Sequence, residues 1–217
     1  MGLLHFFLGL ENWQHDQGIF VSHQRYVQEL LATFNMVDAR PISLPMDVNK
    51  KFLESCDSPL ADAHLYWKFI GSLIWLLNTW CDINFRVSLL ASFMGSPLQT
   101  HWHAGLCILR YLKSTPDLGI LYTADHDISQ AIALFGWTIL DWAGNVDSCR
   151  STIGYSITLG LGAISWSSKK KPTVALSSTE AEYKAACFGT CKVVWLCFLL
   201  KDLGFSQQSL SLVLCDN

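Results

Sequence analysis

Charge is scarce in this chain. Only 15% of its 217 residues are Asp, Glu, Lys or Arg, against 51% that are apolar. That balance excludes an intrinsically disordered segment, which needs the reverse. A basic excess is missing as well: 15 Lys and Arg stand against 18 Asp and Glu, for a formal net charge of -3. Composition alone therefore does not mark a nucleic-acid binder. No uninterrupted apolar run reaches the ~18 residues of a membrane helix, and the densest, Val193 to Leu200, is far shorter. The opening MGLLHFFLGLENW has no basic segment ahead of its apolar residues, so no signal peptide is expected. These absences point to an intracellular chain, cytoplasmic or nuclear, without a membrane partner. Cys-x-x-Cys pairs are lacking too, although there are eight cysteines, at 56, 81, 107, 149, 187, 191, 197 and 215. Free thiols in a reducing compartment are expected rather than a disulfide framework. Of the seven histidines only His101 and His103 lie close, and at i, i+2 they point to different faces of a helix, which disfavours zinc.

What the chain does have is enough apolar material, over enough length, for one large or two small buried cores. Three zones appear. Residues 1–46 read as strand, turn and strand, followed by a helix from Ser22 to Phe34 on which Tyr26, Val27, Leu30, Leu31 and Phe34 recur at helical spacing. Residues 47–117 read as helical, with Ile70, Leu73, Ile74 and Leu77 on a first helix. A second helix is predicted over 82–94 and a third over 99–113, with Pro116 and Gly119 as stop signals. In residues 118–217 the period changes. Tyr155, Ile157 and Leu159 alternate with small residues, and Lys169 to Lys171 reads as a basic turn before a short strand, Val174 to Leu176. A long helix over 179–203 and a buried strand at Leu212 to Leu214 follow. The fold class is α/β (α+β).

Particular segments carry a family resemblance. FFLGLE, GIFVSHQRYVQELLATFNM, PISLPM, WKFIGSLIWLLNTWCDINFRVSLLASFM and HWHAGLCILRYLKST resemble the copia-type retrotransposon polyprotein, in the stretch from the end of the reverse transcriptase palm through the thumb. WAGNVDSCRSTIGY, ISWSSKKKPTVALSSTEAEYKAA, VVWLCFLLKDLGF and the final LCDN resemble the ribonuclease H domain that follows. The resemblance implies a partial palm hairpin (1–46), a helical thumb or connection segment (47–117) and a ribonuclease H-like mixed sheet with helix (118–217), truncated at its C-terminus. It also implies what is missing. The paired aspartates of the family's Tyr-x-Asp-Asp turn do not occur in these residues, so no polymerase activity is expected.

Ribonuclease H chemistry hydrolyses the RNA strand of an RNA–DNA hybrid with two Mg²⁺ ions held by clustered carboxylates. By the resemblance, Glu182 is the helix ligand and Asp216 the later-strand ligand, with a fourth ligand expected beyond Asn217. The first-strand aspartate is replaced: the family's Gly-Tyr-x-Asp-x-Asp-Trp-Ala-Gly reads Gly136-Trp137-Thr138-Ile139-Leu140-Asp141-Trp142-Ala143-Gly144. Ile139 coordinates nothing. Asp141 is the possible substitute, on the same strand face but roughly 6 to 7 Å away. Burial of Ile139 is expected to stabilise the strand. Residue chemistry leaves a second role for Glu182, since Thr179-x-x-Glu182 is also a capping box, and Ser177-x-x-Glu180 fits the same pattern. Lys169, Lys170, Lys171, Arg110 and Lys113 are candidate contacts to a nucleic-acid backbone, or else a solvated turn and helix face. Trp80, Cys107, Cys149 and Cys197 stand where members of the family carry Arg, as in an element no longer held to function. The expected function is a polyprotein fragment degenerate as a nuclease. The alternatives are a residual Mg²⁺ nuclease using Asp141, Glu182 and Asp216, and a non-catalytic nucleic-acid-binding or interaction module.

Overall fold

Tyr66, Phe69, Ile70, Leu73 and Leu76 recur at the three- and four-residue steps of one helix face, and in the computed structural model all five are fully buried. Each such side chain contributes ~1.5–3 kcal/mol of burial, which outweighs the poor helix propensity of the aromatic residues among them. The structure describes residues 3–47, 52–53, 57–124, 133–141, 150–205 and 210–215. In chain order the elements are β1 (Phe6–Phe7), β2 (Leu10–His15), β3 (Gly18–Ser22), α1 (Gln24–Thr33), α2 (Ala63–Leu76), α3 (Asn84–Ala91), α4 (Gln99–Ser114), β4 (Ile120–Thr123), β5 (Leu134–Asp141), β6 (Thr152–Leu159), β7 (Gly162–Lys170), α5 (Ser178–Asp202) and β8 (Leu212–Cys215). Two compact units result, one of residues 1–14 and 20–120, the other of 15–19 and 121–217.

The first unit is built on its helices. Asp62 caps α2 by accepting from the Leu65 N–H at 3.0 Å, and the buried Tyr66 hydroxyl donates to the Leu90 carbonyl of α3 at 2.8 Å. Val27, Leu30, Leu31 and Met46, from the zone expected to end at residue 46, share one core with α2, α3 and α4. The second predicted helix is shorter than its apolar pattern, spanning 84–91 rather than 82–94.

Two histidines are sealed into this unit. His101 accepts from the Leu98 N–H at Nδ1 (3.1 Å), lies 3.1 Å from the Leu53 carbonyl at Nε2, and stacks on Phe93. It is a helix cap, not half of a zinc site. His23 is hydrogen-bonded to Thr79 Oγ1 through Nδ1 (2.7 Å), while its buried Nε2 has no partner among the described residues. Burial lowers the pKa of both rings below 6.5, against a raising pull from Glu11 on His23 and from the Leu53 carbonyl on His101. The unfolded chain therefore binds these protons first. The stability that neutral rings contribute is fully present above about pH 6.5 and is lost as pH falls from there through the folded values. Urea unfolding between pH 7.5 and 5 is expected to show this loss, and His23→Gln is expected to flatten it.

In the second unit the strand order is β7-β6-β5-β8, with β5 antiparallel to β6 and parallel to β8. A parallel neighbour needs a crossover, and α5, lying between β7 and β8 in the chain, carries it. Lys169 and Lys170 are the last residues of β7, paired with Ile153 and Thr152. The predicted basic turn is therefore strand at these two positions, because its backbone groups complete the ladder with β6. Val174 to Leu176 forms no strand; Leu176 instead donates its N–H to Glu180 at 2.7 Å, ahead of α5.

Candidate functional site

Two glycines seat α5 on the sheet. A methyl placed on Gly189 would lie 2.4 Å from Thr138 Cγ2, and one placed on Gly136 would lie 3.5 Å from Val193 Cγ2. The lower-numbered strand residue thus meets the higher-numbered helix residue, so α5 runs opposite to β5. Seven residues before Gly189, roughly 10 Å along the axis, α5 carries Glu182 toward the Leu140–Asp141 end of β5. Along α5 the buried positions are Ala181, Ala185, Gly189, Val193 and Leu196. Glu182 flanks that stripe and is half-buried.

The two capping patterns in the sequence are resolved here. Ser177 is the N-cap of α5, and its hydroxyl accepts from the Glu180 N–H at 3.1 Å. Glu180 pairs with Lys184 at 2.6 Å. Lys184, together with the Leu176 N–H, lowers the Glu180 pKa. Glu182 is not the capping carboxylate.

Alternation along β5 sorts the remaining positions. Leu134, Gly136 and Thr138 are buried on the α5 side, while Phe135, Trp137 and Ile139 are exposed on the other. Ile139 is 58% exposed, so the expected burial of this side chain is corrected: its place in the pleat turns it away from the helix. It extends an uncovered apolar row that Leu212 and Leu214 of β8 continue. Asp141, two residues on and exposed, shares the Ile139 face by the period of the strand. The structure thus sets Ile139 and Asp141 on one side of β5 and the helix bearing Glu182 on the other. Asp216 lies outside the described residues; its predecessor Cys215 pairs with Thr138. Among the described residues no three Asp, Glu, His or Cys side chains come together to hold a metal ion.

The basic candidates are largely engaged within the chain. Lys113 Nζ donates to the Val37 and Ala39 carbonyls at 2.5 and 2.9 Å, and Arg110 Nε to the Arg40 carbonyl at 2.7 Å. Together they pin the segment after α1. Lys171 places its ammonium 4.9 Å from the centre of the Phe188 ring. With Lys184 it also lines a shallow recess that includes Ser151, Thr173 and Ala181, with room for about 10 Å³. Lys169 is exposed and Lys170 half-buried at the end of β7. The sequence reading missed these internal roles, for which its only signal was the helical i, i+3 spacing of Arg110 and Lys113.

No family model matches the chain, and no solved structure does. Among curated proteins it is 39% identical, over 99% of its length, to the retrovirus-related Pol polyprotein from transposon RE2 of Arabidopsis thaliana. It is 34% identical, over 92% of its length, to that from transposon TNT 1-94 of Nicotiana tabacum. It spans only 14% and 15% of these polyproteins. An uncharacterized mitochondrial protein of Arabidopsis thaliana is 30% identical over 90% of this chain and 79% of its own length.

Proposed function

The chain belongs to the retrovirus-related Pol polyproteins of copia-type retrotransposons, and we propose that it is a piece of their reverse transcriptase and ribonuclease H region that performs neither reaction. Ile139 is the observation that carries this reading. A ribonuclease H centre takes its two metal ions, normally Mg²⁺, on clustered carboxylate oxygens, and the ions activate water and stabilise the leaving oxygen. The described residues do not fit that centre. The position of the first aspartate holds a hydrocarbon side chain, and Asp141 shares its face rather than that of the helix bearing Glu182.

A second feature supports relaxed constraint. Trp80, at a position where the family resemblance implies Arg, is 2% exposed and its indole N–H has no hydrogen-bond partner among the described residues. Such a buried orphan donor costs ~1–3 kcal/mol. The commitments of Arg110, Lys113 and Lys171 within the chain give little support to a dedicated hybrid-binding role.

The test is direct. Incubated with a labelled RNA–DNA hybrid in Mg²⁺, the purified chain is expected to cleave no RNA above a metal-free control. It is also expected to add no nucleotide to a primed template. Cleavage that Glu182→Gln abolishes would overturn the proposal and make the carboxylates of Asp141, Glu182 and Asp216 a working centre.

A further inference from the structure

Among the described residues, helix α5 is covered on one side only. Opposite its buried stripe, Tyr183, Cys187, Cys191, Val194 and Phe198 follow one another at four- and three-residue steps, and all are exposed, Tyr183 by 74% and Phe198 by 62%. From Tyr183 to Phe198 the stripe runs about 22 Å. The only charge between Lys184 and Lys201 is Lys192, which lies on the flank with its ammonium 3.7 Å from the centre of the Trp195 ring. By length and composition α5 is the one described helix that meets the requirement for crossing a membrane, but packing against β5 already accounts for one of its apolar sides. The other side has no cover among the described residues.

Area and charge identify an occupant. With Trp195 and Leu199 at its edge, the stripe exposes on the order of 600 Å² of apolar surface, at the top of the range for a monomer's largest patch. Two such stripes facing each other bury on the order of 1,200 Å², where specific interfaces begin. The charges sit at the two ends: Glu180 and Lys184 flank Tyr183 at the first, and Lys201 and Asp202 follow Phe198 at the second. In a parallel pair each of these would face its own kind. In an antiparallel pair centred between Thr190 and Cys191, Glu180 of each copy meets Lys201 of the other, once at either end. This is the self-complementarity of a two-fold interface.

We propose that two copies of this chain associate through the outer face of α5, antiparallel about a two-fold axis near Cys191. The dimer is expected in sedimentation runs on reduced protein at micromolar concentration. Phe198→Lys should weaken association at least tenfold without changing the far-ultraviolet circular dichroism, and Lys201→Glu should weaken it less. Cysteine chemistry reads the register independently. A variant retaining only Cys191 should form an interchain disulfide under mild oxidation. A variant retaining only Cys187 should not, because in this register its two copies lie roughly 10 Å apart along the axis, beyond the ~7 Å Cα limit for a disulfide. A chain that stays monomeric through a concentration series overturns the proposal. So does equal cross-linking by Cys187 and Cys191, or an apolar stripe that binds lipid vesicles while the protein remains monomeric.

Discussion

Replacing Gly189 with leucine is expected to cost the second unit at least ~3 kcal/mol, toward the upper end of what overpacking does, and to leave the first unit unchanged. At this position the Cβ alone would lie 2.4 Å from Thr138 Cγ2. Thr138 has little freedom to give way. It is 3% exposed in the middle of β5, and its hydroxyl donates to the Leu214 carbonyl of β8 at 3.3 Å. Turning its methyl aside would disturb that bond, and moving α5 outward would uncover Leu134, Ile157, Val193 and Leu196, the buried core of this unit. Leucine gains ~0.8–1 kcal/mol of helix propensity over glycine, so the net effect still falls on the destabilising side. Hydrogen exchange resolved along the chain is the appropriate measurement, since two units need not unfold as one. Amides of β5, β6 and α5 should lose protection while those of α2 and α4 keep theirs. Equal protection in variant and parent would mean that α5 is not seated through Gly189.

Phe69→Ala should have a comparable effect in the first unit, a loss of ~3–5 kcal/mol. The Phe69 ring is fully buried, 4.7 Å from the Phe34 ring of the α1 C-cap and 5.1 Å from the Trp102 ring of α4. It also fills the notch left by Gly105, where an added Cβ would lie 2.2 Å from the ring edge. Truncation therefore opens a void bordered by three elements, and none of them can collapse into it without breaking its own packing. Phe69→Leu, which retains most of the volume, should recover more than half of the loss. Here the amides of α2 and α4 should lose protection and those of β5 and β6 should not.

Much of the architecture was legible because helix and strand periods differ. The 70, 73, 74, 77 spacing marks α2 as a helix and the alternation of β6 marks a strand, although Ile74 is 47% exposed and the buried face of α2 runs through 66, 69, 70, 73 and 76. Element ends were less legible. Lys169 and Lys170 look like a turn because they are charged and precede a proline, yet their backbone groups have partners waiting on β6, and a ladder partner distant in sequence leaves no local trace. The faces of β5 were the hardest. Its exposed row is Phe135, Trp137 and Ile139, and its buried row is Leu134, Gly136 and Thr138. The bulkier residues are outside, so a rule that larger apolar side chains go inside assigns the strand backwards. Glycine and threonine are inside because α5 approaches closely, and that approach requires small residues on both partners.

The sequence by itself determined the family, the presence of the main helices and the presence of isoleucine where the family pattern has an aspartate, because these depend on residue identity and local period alone. It could not decide whether Glu182 caps a helix or faces the sheet, since Thr179-x-x-Glu182 and Ser177-x-x-Glu180 satisfy the same local rule. The tertiary structure decided in favour of Ser177 and Glu180. It also decided that Ile139 and Asp141 leave β5 on the side away from α5, and that Arg110 and Lys113 hold the chain's own carbonyls. The physical reason is common to all three. Each depends on which atoms from distant parts of the chain arrive at the same place, and hydrogen bonds and close packing are satisfied by atoms in space, whatever their separation in sequence.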